Sequence, residues 1–256
     1  MQNITLTPLT FLIVCPMAFL AGLIDSIGGG GGLISLPAFV FAGLPMHLAI
    51  GTNKLTAAFG TTVSALRFAK NRLVDLRLTA PALLFAVLGS SIGARLSMRI
   101  DEKILRLLLI AVLPVAAAVV LNRHLFNDGG SEEVPHDFRT YFIACTAALV
   151  IGIYDGMYGP GTGTFFIIAF TVFAKLNIKT ANAQAKAINM ATNITALVVF
   201  LLHGQVVLPL GIACAACNMI GNYLGSGLAL KNGARIVRPI ILTVLGLLLI
   251  RILTEL

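Results

Sequence analysis

The sequence predicts an all-α polytopic membrane protein with about eight transmembrane helices in two homologous repeats. Three observations predict it. The first is composition: of 256 residues, 58% are hydrophobic and 11% charged, against about 45–50% and about 25% in soluble domains. The second is a ladder of apolar runs, several of them near the roughly 20 residues that a helix needs to cross a bilayer. The third is an ordered series of residues that recurs between the two halves. So few charges cannot solvate a globule of this size, which argues against a soluble enzyme, a disordered chain or a disulfide scaffold. The formal net charge of +8 does not point to nucleic acid. The basic residues sit mostly in short connections beside apolar runs, the pattern of charge flanking membrane spans.

The elements follow in order. Pro8–Ile27 is long enough to span, and Met1 to Thr7 lacks the positive region of a cleavable signal. Leu33–Ala42 is apolar but holds ten residues, about 15 Å as a helix. Leu48–Phe68, Leu78–Leu96 and Ile104–Leu121 are the next spans. Asn122–Asp137 is the extended polar loop, with Asp128, Glu132, Glu133, Asp137 and the turn pair Gly129-Gly130. Phe138–Tyr154 follows, then a second short piece, Thr164–Ala174, and Lys186–Leu202, Val206–Ala229 and Ile236–Leu253. A narrow excess of Lys and Arg on one side places both termini outside the cytoplasm.

The repeat is read residue by residue. Cys15, Gly22 and Asp25 recur as Cys145, Gly152 and Asp155. Gly28, Gly30, Gly32, Ala38 and Phe39 recur as Gly159, Gly161, Gly163, Ala169 and Phe170. Lys54, Phe68, Gly89, Gly93 and Arg106 recur as Lys186, Phe200, Gly221, Gly225 and Arg238. The first repeat is then residues 1–121, the linker 122–137 and the second repeat 138–256. If each short piece is a broken or re-entrant part of its first span, the total is eight. If the short pieces cross, each repeat has five spans and the repeats are inverted. The length of the short pieces favours eight.

Two constellations carry chemistry. Asp25-Ser26-Ile27 is followed by Gly28, Gly29, Gly30, Gly31 and Gly32, and then by Leu33-Ile34-Ser35-Leu36-Pro37. Each glycine costs about 1 kcal/mol of helix propensity relative to Ala. Irregular backbone at membrane depth survives only where protein buries it or water reaches it. Free N–H groups at the start of the short helix would make an anion site. The counterpart is Asp155-Gly156-Met157-Tyr158-Gly159-Pro160-Gly161-Thr162-Gly163, where Pro160 blocks a continuous helix and Thr162 and Thr164 add hydroxyls. Close helix packing through small residues is the alternative. Neither run ends in the Gly-Lys-Ser/Thr of a nucleotide loop.

The second constellation is Gly51-Thr52-Asn53-Lys54, matched by Gln184-Ala185-Lys186, with Asn189 and Asn193 beyond. Lys186, Asn189 and Asn193 share one helix face. A charge at the centre of a span costs roughly 2.5–3.5 kcal/mol even on a lenient scale, so such lysines usually line a cavity. The alternative is that Lys54 and Lys186 start their spans and snorkel to the interface. Asp25 and Asp155 stand in apolar flanks. They are read as possible proton carriers, as counter-ions to Lys54 and Lys186, or as caps for the short helices. An isolated carboxylate there would be desolvated, which favours its protonated form. His47, His124, His136 and His203 lie in turns or the linker. Cys15, Cys145, Cys214 and Cys217 read as small packing residues, despite the CxxC spacing of the last two. No metal-ligand cluster, nucleophile–base pair or cofactor is expected.

At these residues the chain resembles the TauE/SafE sulfite exporter family of the toluene sulfonate uptake permease superfamily. The resemblance rests on Asp25 to Ile34 with Pro37, on Gly51-Thr52-Asn53-Lys54, and on the second glycine run with Gln184-Ala185-Lys186 and Thr192-Asn193. It covers nearly the whole chain. It implies a bacterial inner-membrane permease of about eight spans for sulfite, sulfonates or other sulfur-containing organic anions, with no catalytic residues. The expected partners are a small anionic substrate, the lipid bilayer and a coupling proton or ion, without nucleic acid. The leading expectation is a secondary transporter in which glycine N–H groups hold oxyanion oxygens and Lys54 and Lys186 neutralise charge. An anion channel and a membrane-embedded enzyme are the competing readings.

Overall fold

A computed structural model describes residues 6–101 and 134–233, with residues 235, 236, 239, 240, 242, 243 and 246 beyond them. The expected span Ile104–Leu121, most of the loop Asn122–Asp137 and much of the span Ile236–Leu253 lie outside the described residues. So do Arg106 and Arg238.

The described residues fold into helices. Helix α1 covers Pro8–Gly28. Thr7 caps it, with reciprocal bonds to Thr10, and Pro8 takes the first turn, where its missing N–H costs nothing. Gly29 ends it in the left-handed conformation, φ 82°. Helix α2, Gly32–Phe41, has the expected ten residues. Helix α3, Met46–Lys70, and helix α4, Leu76–Ser97, follow, and Asp75 caps α4. Helix α5, Phe138–Met157, is capped by Asp137. Helix α6, Thr162–Ile168, runs on into a wider π-helical turn at Ala169–Phe173. Helix α7 is Ile178–Leu202 and helix α8 is Leu208–Asn232.

Helix α7 corrects one expected boundary. The apolar pattern predicts a span from Lys186. The helix instead begins at Ile178, where the Asn177 side chain accepts the Thr180 N–H at 2.8 Å. Asn182 and Gln184 are polar but buried, so they belong to the interior of the bundle. Lys186 therefore lies about 12 Å along α7, at 1.5 Å per residue. Lys54 lies equally far along α3, which begins at Met46.

Among the described residues, five helices are long and apolar enough to cross a bilayer: α1, α4, α5, α7 and α8. Exposure follows the same logic. Leu12, Leu84, Val150 and Leu202 face outward, while Lys54, Lys186, Asn53, Thr56 and Asn189 are buried. A water-soluble fold has the reverse bias. An apolar exterior around a polar interior suits a lipid solvent.

Helices α3 and α7 pack on each other in the centre. Helix α8 packs between α1 and α3, and α4 between α5 and α7. The outer pairs approach through glycine. A methyl group on Gly89 or Gly93 would run into the Leu149 or Ile153 carbonyl, and one on Gly221 or Gly225 into the Phe19 or Leu23 carbonyl. Small residues allow such backbone contact in membranes, where dispersion replaces the hydrophobic drive. These contacts bring the breaks after α1 and α5 together against α3 and α7.

Candidate functional site

The two breaks meet backbone to backbone. Gly29 lies against Gly163 and Thr164, and a side chain at Gly29 would occupy the same space as that backbone. The Thr164 N–H donates to the Gly29 carbonyl at 3.1 Å, and its hydroxyl donates to the Gly28 carbonyl at 2.6 Å. Asn182 of α7 donates to the carbonyls of Ser26 and Ile27 at 3.2 and 3.0 Å. Every helix leaves its last carbonyls without an internal partner. Four successive carbonyls at the end of α1 thus find donors in the other half of the chain.

Two ion pairs flank this junction, one fully buried and one partly exposed at its carboxylate. Lys54 Nζ lies 2.9 Å from Asp155 Oδ1, with the side chains 1% and 2% exposed. Lys186 Nζ lies 2.7 Å from Asp25 Oδ2, with the side chains 0% and 14% exposed. Each lysine pairs with the aspartate of the opposite half. Snorkelling to the headgroups, the alternative for both lysines, does not occur. The lysines also adjoin the second glycine run: a methyl group on Gly159 would sit 2.7 Å from Lys54 Nζ, and one on Gly163 3.2 Å from Lys186 Nζ. Any larger residue at Gly159 would wedge into the Lys54–Asp155 pair.

A small cavity opens between the pairs, with about 30 Å³ of room for water centres. Asp25, Gly29, Gly31, Gly32, Asn53, Lys54, Asp155, Gly159, Gly161, Thr162, Gly163, Asn189 and Asn193 line it. Polar contacts tie the lining together. Lys54 donates to Asn193 Oδ1 at 3.2 Å, Asn193 donates to Asn189 Oδ1 at 2.8 Å, and Ser35 donates to Asn53 Oδ1 at 2.5 Å.

Five residues expected at the site, Gly28, Gly30, Thr52, Gln184 and Lys186, do not line the cavity. The carbonyls of Gly28 and Gly30 accept from Thr164 and from Leu33 N–H. Thr52 accepts the Val207 N–H at 3.0 Å, where α8 begins. Gln184 turns to α4, bonding Thr79 and the Leu73 carbonyl. Lys186 reaches the site through its bond to Asp25, which lines the cavity. The idea of free glycine N–H donors also changes. The Gly31 N–H is directed at Asp25 Oδ1, 3.3 Å away. The lining further includes Ser35, Ala57, Thr61 and Asn218, none of which a motif singles out. Asn218 has one sequence signal, its place with Asn222 and Ser226 at four-residue spacing on one face of an apolar span. Among the described residues, no group of three or more His, Cys, Asp or Glu could hold a metal ion.

Residues 14–252 match the protein family described as Sulfite exporter TauE/SafE. The chain belongs to this family. Among curated relatives, a probable membrane transporter protein, ORF9, of Sinorhizobium sp is 35% identical over 256 residues, covering 100% of this chain and 96% of its own. The probable membrane transporter protein YfcA of Escherichia coli K12 is 33% identical over 239 residues, 93% of this chain and 87% of its own. A probable membrane transporter protein of Haemophilus influenzae is 33% identical over 226 residues, 88% and 87% of the two chains. Family and relatives together make this a multi-pass protein of a membrane transporter family, and their names indicate a transporter, not an enzyme.

Proposed function

We propose that the chain is a secondary transporter of a small anion across the bacterial inner membrane, with a sulfite-sized sulfur oxyanion as substrate. The observation that carries this reading is the pair of crossed Lys–Asp bridges around the cavity, with both lysines buried. Charges at such depth are expensive and serve a pathway more often than a scaffold. The glycine breaks supply irregular backbone beside a polar cavity, as in the discontinuous helices of transporters. We read them as re-entrant halves of α1 and α5, repeated by duplication of residues 1–121 and 138–256 around the linker 122–137. The matched glycine contacts of α4 on α5 and of α8 on α1 support the duplication.

Electrostatics constrain the mechanism. With both lysines paired, the site carries no net charge. An anion gains only if an ammonium is released from its carboxylate. The Asn53 and Asn189 amides then offer donors that fix oxyanion orientation. Size selects among substrates: the cavity is small, with about 30 Å³ open to water centres. That suits a compact oxyanion better than one with an organic tail.

Purified protein in liposomes tests the reading. Sulfite should be taken up faster than sulfate, taurine or sulfoacetate, and faster with a pH gradient than without one. Flux of none of the four above protein-free vesicles would reject it. Sulfite flux that no gradient can drive uphill would make the protein a channel.

A further inference from the structure

The two ion pairs look equivalent in sequence, but their hydrogen bonding differs. Both carboxylate oxygens of Asp25 are engaged, Oδ2 by Lys186 at 2.7 Å and Oδ1 by the Gly31 N–H at 3.3 Å. Asp155 uses Oδ1 for Lys54, while its Oδ2 is buried without a hydrogen-bond partner. A buried carboxylate oxygen with no donor is costly, the more so when the group is charged. A proton can be added at Oδ2 of Asp155 without breaking an existing bond. At Asp25 it would have to displace one. The lysines differ too. Lys54 keeps a second partner, Asn193 Oδ1, and lines the cavity, whereas Lys186 is not among the lining residues.

We infer that Asp155 is the proton-carrying carboxylate of the transporter and Lys54 the ammonium it hands to the anion, while Lys186–Asp25 stays paired. This rests on the transport reading above and assigns its coupling ion. The step balances. A hydronium ion gives its proton to Asp155 Oδ2 and leaves as water, and the carboxylate becomes a neutral acid. Lys54 then carries an uncompensated positive charge, and a monoanion takes the vacated place. The site is neutral before and after, so one proton and one monoanion cross together without net charge. Release on the far side reverses each step. Lys54 of α3 pairs with Asp155, Asp25 of α1 lines the same cavity, and Lys186 of α7 pairs with Asp25. Helix α6 carries no charged group, and Arg77 and Arg95 of α4 are exposed.

Two measurements test the assignment. Infrared difference spectra of the reconstituted protein, titrated from alkaline to acid pH, should show a buried protonated-carboxyl band. The band should persist in Asp25→Asn, vanish in Asp155→Asn and return at shifted frequency in Asp155→Glu. No such band in the wild type, or a band lost in Asp25→Asn and kept in Asp155→Asn, overturns the proposal. The second measurement is hydrogensulfite accumulation over protein-free vesicles. One proton per monoanion supports about tenfold accumulation per pH unit, with no membrane current. Asp155→Asn should lose this response entirely and Asp25→Asn should keep it at lower rate. A hundredfold limit, a current, or a pH response surviving in Asp155→Asn overturns the assignment. If the wild type moves no anion, the transport reading falls, and the infrared result alone still decides whether Asp155 takes the proton.

Discussion

The break after α1 and the break after α5 make the same interruption by different means. The first spreads it over five glycines, of which Gly29 has positive φ. The second concentrates it at Pro160, between Gly159 at φ 94° and Gly161 at φ 83°. The first depends on the rest of the chain: its terminal carbonyls accept from Asn182 and Thr164. The second is more self-contained. Tyr154 of α5 donates to the Pro160 carbonyl at 2.7 Å, and Tyr158 N–H to the Tyr154 carbonyl at 2.9 Å. Glycine count therefore does not measure the rigidity of a break. A glycine run allows close approach, and the donors that hold it come from elsewhere.

The largest effect should follow from filling the contact between the breaks. Gly29→Ala places a methyl group into the Gly163–Thr164 backbone at a φ that an L side chain resists. Gly43→Ala is the control: φ is 86° there, but nothing lies within 4 Å. The control should cost about 1–2 kcal/mol from backbone strain alone. Gly29→Ala should yield little folded protein. The chain has no tryptophan, so unfolding is best followed by a thiol-reactive dye at its four cysteines. Equal melting temperatures for the two variants would show that the breaks do not need their close contact.

Next come the ion pairs, which tie each break to a central helix of the opposite half. Lys186→Met leaves Asp25 without its cation, and breaking a buried pair by removing one partner costs about 3–5 kcal/mol. Lys186→Met with Asp25→Asn should recover most of that loss. The same pair of variants at Lys54 and Asp155 should recover as well, since both lysines are buried. A double variant no more stable than its single would show that the lysine acts through packing.

Donor removal should have a smaller, asymmetric effect. Asn182→Ala strips donors from two carbonyls at the end of α1, and an unsatisfied buried acceptor costs about 1–3 kcal/mol. Tyr154→Phe removes one hydrogen bond at the second break, about 1 kcal/mol. Thermal melts of the two variants compare the breaks directly. A larger loss for Tyr154→Phe would reverse the order of dependence.

Much of this was legible in sequence, and the rest was hidden for identifiable reasons. The glycine runs, Asp25, Asp155 and the two lysines stand out because charge and irregular backbone are rare in apolar runs. Lys186, Asn189 and Asn193 share a face by helical period, and all serve the site. Thr52 and Gln184 stand two residues before a lysine, and residues at that spacing face apart on a helix. They consequently point to α8 and α4. Which aspartate meets which lysine is a long-range pairing that no local pattern records. Asn182 lies outside the apolar run that begins at Lys186, so no local pattern marks it. Its role as donor to Ser26 and Ile27 needs the fold to be seen.

The smallest effect concerns how the first helix of each half begins. Helix α1 starts at the neutral pair Thr7 and Thr10, and α5 starts at Asp137, a titratable cap outside the membrane-spanning segment. Hydrogen bonds from Thr140, side chain first and then backbone, hold the Asp137 carboxyl below its ordinary range. The folded state thus binds this proton less readily than the unfolded state. Its contribution is fully present above the unfolded value, about 3.9, and is lost as pH falls through the lower folded value. Asp137 is fully exposed, so screening keeps the effect small. Asn also caps helices well, so Asp137→Asn should leave the melting temperature near neutrality almost unchanged. Below about pH 4, the wild type should lose a small increment of stability that the variant keeps. Thr7→Ala should weaken α1 equally at all pH values. A melting-temperature difference between wild type and Asp137→Asn that stays constant from neutral to acid pH would show that the Asp137 charge contributes nothing to the start of α5.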